Sequence, residues 1–282
     1  MVFKQTAFTI VGIFLITQTI GLYIGNQYVQ AIKSEILYPV FENPESVENS
    51  FILFFYIIVA TVIMLLMIKY WKFSLKLFEA FAILFSSWVT FDFLIPIEIG
   101  YYLSLGFFLA LTLTLWKMLR PTILSQNIAA IFAGSGVGAL LGASFGMVPS
   151  LVFLLILCVY DFVSVFITKH MITLAKEVVK TPTAFTVAAP HKFKKAKYVG
   201  VKGRKKRFHI FQLGLGDIVM PLMFSISLLN KFNLMNSIFS VVGSTIALTL
   251  LIYYMSKKPK PLPALPFIGV GTLSGFLISL IL

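Results

Sequence analysis

Long apolar runs separated by short polar stretches organise this chain from end to end. A membrane-crossing helix takes about 20 mostly apolar residues. Nine runs meet that need, at roughly 6–25, 51–68, 75–97, 100–117, 124–146, 150–168, 208–229, 234–255 and 262–281. Phe, Leu, Ile and Val fill them, and none alternates with a two-residue period. A transmembrane barrel requires that alternation, so the pattern predicts an all-α polytopic membrane protein with nine transmembrane helices. The first run exceeds the apolar core of a signal peptide, about 7–15 residues. It ends in Ile24-Gly25-Asn26-Gln27 without a small-x-small cleavage site, and it reads as a retained helix.

Composition agrees. Of the 282 residues, 59% are hydrophobic and 12% are charged. Soluble domains run at about 45–50% and about 25%. A soluble enzyme, a disordered chain, a coiled coil and a disulfide scaffold are all excluded. The single cysteine, Cys158, has no intrachain partner and lies inside an apolar run.

The net charge of +13 takes its meaning from where the charges fall. Lys and Arg hold helix ends on the cytoplasmic side. If the N-terminus is inside, the inner segments contain Lys4, then Lys69, Lys72 and Lys76, then Lys117 and Arg120. Twelve more basic residues lie between 169 and 207, and Lys257, Lys258 and Lys260 follow. Of the 23 basic residues, 21 then lie inside, and only Lys33 and Lys231 fall outside, together with Glu35, Glu42, Glu45 and Glu48. The alternation predicts a cytoplasmic N-terminus and an outside C-terminus. The connection 169–207 is the one long inner loop, interrupted by Pro182 and Pro190, and much of it is expected to be mobile. Its run Lys192–Arg207 reads as a topology anchor that touches anionic headgroups of the lipid bilayer. No recognised nucleic-acid module accompanies it, so no nucleic-acid partner is expected.

Most acidic residues are easily placed. Glu79 is about one turn inside the third span and can pair with Lys76 at i−3. Asp92, near the outer end of that span, reads as a polar residue facing other helices or the interface. Asp161 and Asp217 are different. Each sits within an apolar helix, where a charge costs at least about 2.5–3.5 kcal/mol. Neither has a Lys, Arg or His within one helical turn. At 1.5 Å per residue, Asp161 lies about 12 Å from the inner end of span 6, and Asp217 about 15 Å along span 7. These adjacent antiparallel helices would bring the two carboxylates to one level. Two carboxylates in contact share one proton and titrate as a unit. One can then draw a proton from water while the other donates to a carbonyl oxygen, as in aspartic proteases. A proton or cation relay in a secondary transporter or channel uses intramembrane Asp equally well. On the pair alone, both readings stay open. The first four spans show no matching acidic pair or broken helices, such as the inverted repeats of many transporters contain.

Two local motifs share that level. Gly214-Leu215-Gly216-Asp217 places glycines where another backbone would need to approach. Pro261-Leu262-Pro263-Ala264-Leu265-Pro266 opens the ninth span with three prolines, which resist regular helix. Extended backbone is expected there, and at membrane depth it must be covered by protein or line a cavity.

Tyr160-Asp161, Gly214-Leu215-Gly216-Asp217 and Pro263-Ala264-Leu265-Pro266, in that order on spans 6, 7 and 9, resemble the presenilin and signal peptide peptidase family of intramembrane aspartyl proteases. Phe41-Glu42-Asn43-Pro44 and Thr168–Ala175 are similar to segments of archaeal presenilin homologues. The deduced orientation and Pro266 are presenilin-like. The resemblance implies catalytic roles for Asp161 and Asp217. Tyr160 would flank the site, and Gly214, Leu215, Gly216, Pro263, Ala264, Leu265 and Pro266 would shape it and hold substrate. It further implies transmembrane-helix protein substrates, cleaved after local unwinding. The unwound stretch would pair as a strand near Pro263–Pro266. Residues 1–146 would form scaffold spans 1–5, and residues 147–282 the catalytic half.

The remaining features are structural. Gly134, Gly138, Gly142 and Gly146 recur every four residues and predict close helix packing. His170, His191 and His209 lack metal-ligand spacing, so neither a metal nor another cofactor is expected. No histidine lies in a span interior, which disfavours a serine protease. A homo-oligomer is compatible with all of this, and the cell membrane is the expected location.

Overall fold

The computed structural model describes residues 2–70, 72–97, 104–166, 185–189, 211–257 and 262–282. Among them are nine α-helices and two short strands. The order is α1 (Val2–Lys33), α2 (Glu48–Tyr70), α3 (Lys72–Leu94), α4 (Leu105–Leu119), α5 (Ile123–Ser144) and α6 (Met147–Phe166). Then come β1 (Thr186–Ala189), β2 (Phe211–Gly214), α7 (Gly216–Ser227), α8 (Leu234–Lys257) and α9 (Ala264–Ser279). A 3-10 turn, Leu228–Asn230, ends α7. Five helices are long and apolar enough to cross a bilayer alone. The four shorter apolar helices include α7 and α9.

Helix α7 is the axis of the bundle. It packs against α1, α5, α6, α8 and α9, and Ile218, Leu222, Met223, Phe224 and Ile226 along it are buried. Glycines allow this enclosure. Gly21 and Gly25 of α1, and Gly138 and Gly142 of α5, all face Leu222 or Ile226. A Cβ on Gly142 would lie 2.7 Å from the Met223 carbonyl oxygen, so the two backbones approach as closely as glycine permits. The packing role predicted for Gly134, Gly138 and Gly142 is thus met with α7 and its first residues as partner, whereas Gly146 lies beyond the end of α5 and faces Glu45. Helices α8 and α9 meet similarly, Gly243 against Gly271 and Gly275. A hydroxyl chain then runs from Ser225 to Ser240 (3.0 Å) and on to the Thr272 carbonyl (3.2 Å). At the periphery, Phe51, Phe55, Val62, Ile63 and Leu66 of α2 are exposed, as suits a helix facing lipid.

One end of the bundle is stitched by the α1–α2 connection. Phe41 stands edge-on to Phe145 at 4.8 Å. The Gly146 N–H donates to the Pro44 carbonyl (2.8 Å). Lys33 donates to Leu229 (3.1 Å), Asn230 to Phe145 (2.9 Å), and Lys231 pairs with Glu45 (3.1 Å). Phe41-Glu42-Asn43-Pro44 therefore ties the α5–α6 turn to the exit of α7.

The opposite end departs from simple helical reading. The seventh span is not helical throughout: residues 211–214 are a strand, and the helix starts at Gly216. β1 comes from the connection expected to be mobile and pairs antiparallel with β2, Thr186 opposite Gly214 and Ala189 opposite Phe211. The rest of that connection, 167–184 and 190–210 with its basic run and all three histidines, lies outside the described residues. So does Thr168–Ala175. Four extended residues advance about 13 Å where four helical ones advance about 6 Å. The approach to Asp217 is thus longer than a continuous helix would make it.

Two acidic residues are settled by tertiary contacts. Glu79 is buried with Lys117 of α4 as an ion-pair partner, a choice that an i, i+3 rule along α3 does not reveal. Asp92 faces α4 as expected and accepts a hydrogen bond from Ser104.

Candidate active site

Three chain segments meet at the end of the bundle where α6 finishes and α7 and α9 begin. Asp161 is carried by the regular helix α6, one and a half turns before its end at Phe166. Asp217 occupies the first turn of α7, immediately after the strand. The two side chains are partly buried, and the charge of Asp161 acts on Asp217. Both act on the thiol of Cys158, which lies one turn before Asp161 on α6. The two aspartates, 56 positions apart in sequence, therefore lie within electrostatic range of each other.

Asp161 also completes a neighbouring helix. The first N–H groups of any α-helix lack an intrahelical acceptor. α9 begins after Pro263, which has an extended conformation (φ −65°, ψ 121°) and no capping side chain. The acceptor comes from α6: Leu265 N–H donates to Oδ2 of Asp161 at 3.2 Å. Pro266 has no N–H to satisfy. The motif Pro263-Ala264-Leu265-Pro266 thus presents the Leu265 N–H to the Asp161 carboxylate. The expected extended backbone is narrower than the motif, because the helix already starts at Ala264. Leu265 is buried among Phe153, Leu154 and Leu157 of α6, and Cys158 Sγ–H donates to its carbonyl at 3.6 Å.

The glycines before Asp217 do different jobs. A Cβ on Gly214 would lie 3.2 Å from Oδ2 of Asp217, tighter than ordinary contact, so the carboxylate packs directly against the Gly214 backbone. A Cβ on Gly216 would meet nothing within 4 Å, so the space there is open. Between them, Leu215 N–H donates to the Phe185 carbonyl (2.8 Å), which joins the motif to the β1 segment. The Leu215 side chain reaches Gly134 of α5. Tyr160 stands edge-on to Phe54 of α2 with ring centres 5.9 Å apart. The structure thus sets Leu265 against Asp161 and Gly214 against Asp217, with the two aspartates in electrostatic range, while Tyr160 faces α2.

A match to the family described as "Signal-peptide peptidase, presenilin aspartyl protease" extends over residues 11–282. The chain belongs to this family. Two solved structures of a presenilin family intramembrane aspartate protease have the same fold. One, in a C222 crystal form, aligns with TM-score 0.65 and 23% identity over 95% of this chain and 94% of that one. The other, in a P2 form, aligns with TM-score 0.67 and 24% identity over 96% of each. No curated protein matches. As a member of the presenilin and signal-peptide peptidase family, the chain is a multi-pass membrane protein of the intramembrane aspartyl protease class.

Sequence reading missed several groups around this site. Gln18 of α1 donates to the Ile218 carbonyl (2.9 Å), one residue beyond Asp217. Gln126 and Asn127 of α5 hold β1. Polar amides within otherwise apolar spans were the available signal for all three. β1 itself, Thr-Val-Ala-Ala between Phe185 and Pro190, is too short for a periodic pattern to stand out.

Proposed function

We propose that this protein is a GxGD-type aspartic endopeptidase that hydrolyses peptide bonds of transmembrane-helix substrates, with Asp161 and Asp217 as the catalytic pair. The convergence of α6, α7 and the N-terminus of α9 on these two carboxylates carries the reading. One carboxylate takes a proton as the water oxygen attacks the scissile carbonyl carbon, and the other donates its proton to the carbonyl oxygen. Collapse of the tetrahedral intermediate breaks the C–N bond, and a proton from the pair leaves with the amine. The N–H group of Leu265 holds Asp161 in one orientation, and Gly214 leaves room beside Asp217. The opening at Gly216 suits the approach of an unwound substrate backbone. Spans 1–5 serve as scaffold and spans 6–9 bear the chemistry. The distribution of basic residues supports a cytoplasmic N-terminus, an outside C-terminus and residence in the cell membrane.

The test is a purified-protein assay on a transmembrane peptide, with products read by mass spectrometry. Wild type is expected to yield discrete fragments, while Asp161→Asn and Asp217→Asn each yield none and remain folded. Cleavage surviving in both variants rejects the assignment. Proton-coupled solute uptake in vesicles without peptide products would reassign the pair to transport.

A further inference from the structure

β1 has two edges, and side chains occupy one of them. Asn127 Nδ2 donates to the Ala188 carbonyl (2.8 Å), and the Ala188 N–H donates to Asn127 Oδ1 (2.9 Å). One step earlier on α5, Gln126 Nε2 donates to the Thr186 carbonyl (2.5 Å) and to Thr186 Oγ1 (3.0 Å). Thr186 and Ala188 are two residues apart, so their backbone groups point to the same edge. The Asn127 amide therefore makes the donor-and-acceptor pair that a neighbouring strand would make. Alternation turns Val187 and Ala189 towards their partners Leu213 and Phe211 on β2. The Phe185 carbonyl, in the same phase, receives Leu215 N–H.

The clamp is buried. Ala188 is fully inaccessible, Gln126 nearly so and Asn127 8% exposed, so water is a poor substitute for either amide. Mechanically, α5 holds β1, β1 holds β2, and β2 runs directly into Gly214-Leu215-Gly216-Asp217. Asn127 bonds to Ala188 and not to either aspartate, yet it stands at the base of the segment that sets where Asp217 sits.

We infer that Asn127, assisted by Gln126, is a positioning residue of the active site: its side-chain amide pairs with the backbone of Ala188 and thereby fixes the strand pair that delivers Asp217. The inference rests on the protease reading for its kinetic part and on geometry alone for its structural part.

The experiment compares Asn127→Leu and Asn127→Asp with a control, Asn230→Ala. Asn127→Leu removes both bonds, while Asn127→Asp keeps an acceptor for the Ala188 N–H. Asn230→Ala removes an amide-to-carbonyl bond at the opposite end of the bundle. All are measured as full-length protein, with kcat, KM, product positions, Tm and hydrogen exchange of peptides covering 185–189 and 211–216. A misplacement of about 1 Å at a reacting group costs up to about 10²-fold in rate. We expect Asn127→Leu to lower kcat roughly 10- to 100-fold with KM within about 3-fold, and to raise exchange in both strands. Asn127→Asp should fall between it and wild type. Asn230→Ala should lower Tm without changing kcat per folded molecule or exchange at 211–216. If Asn127→Leu does not fold, Asn127→Asp and Gln126→Leu carry the same comparison. Unchanged strand exchange overturns the clamp. Raised exchange with kcat per folded molecule and product positions unchanged overturns the positioning role and leaves Asn127 merely structural. Absence of products from wild type defeats the protease reading instead, and the exchange measurement then decides the clamp alone.

Discussion

At its far end, α7 runs between glycine faces of α1 and α5, with Leu222 and Ile226 filling the hollows and Lys33 and Asn230 binding carbonyls around its exit. At its near end, it starts abruptly from a strand, with a carboxylate in its first turn and an extended segment from a distant loop at its side. The far end is held by close-packed backbone and aliphatic side chains, where any added atom has nowhere to go. The near end is held by directional bonds: an amide on a strand, a backbone donor on a carboxylate. Dense packing suits an invariant support. Hydrogen-bonded irregular backbone suits a place where a second chain must enter, because its groups can be exchanged for those of a substrate.

The comparison predicts that substitutions at the near end change rate and substitutions at the far end change stability. The largest effect is expected for Asp217→Asn: activity should fall by at least about 10²–10⁴-fold, the contribution of a positioned acid or base, with thermal unfolding in detergent little changed. A large loss of Tm in this variant would mean that Asp217 also supports the fold. Next is Gly142→Val, whose Cβ meets the Met223 carbonyl and Ile226. Overpacking of this kind costs about 1–3 kcal/mol, so the folded fraction should fall while kcat per folded molecule holds. A changed kcat with unchanged Tm would break the division between the ends. Gly214→Ala should do the reverse. Its Cβ presses on the Asp217 carboxylate at 3.2 Å, and a shift of a few tenths of an ångström should lower kcat by about 10-fold, well short of the 10²-fold of a full ångström. Smallest is Lys231→Ala, which removes a half-exposed pair with Glu45. About 0.2–1 kcal/mol of stability is expected to be lost, shrinking further as salt rises.

Much of this was legible in the chain. The apolar runs located the helices, because a bilayer demands about 20 apolar residues from any segment that crosses it. The buried acids and the glycine and proline motifs singled out Asp161, Gly214 and Leu265, because lipid penalises carboxylates and broken helices so heavily that their presence needs a reason. What stayed hidden depended on partners distant in sequence. The strand at Phe211–Gly214 lies within an apolar run that reads as helix, and only its pairing with Thr186–Ala189 makes it extended. Glu79 has Lys76 close in sequence, yet Lys117 shares its burial.

The sequence by itself determined the membrane class, the helix count and which two acids stand without a nearby basic residue inside apolar spans, since each follows from local hydrophobicity and from the cost of charge in lipid. Only the tertiary structure decided that Asp161 caps the start of α9, that α7 begins at Gly216 after β2, and that Asn127 of α5 holds β1, the partner of β2. Those outcomes follow from hydrogen-bonding groups left over when helices end, and such groups find partners in space, where no periodicity along the chain records them.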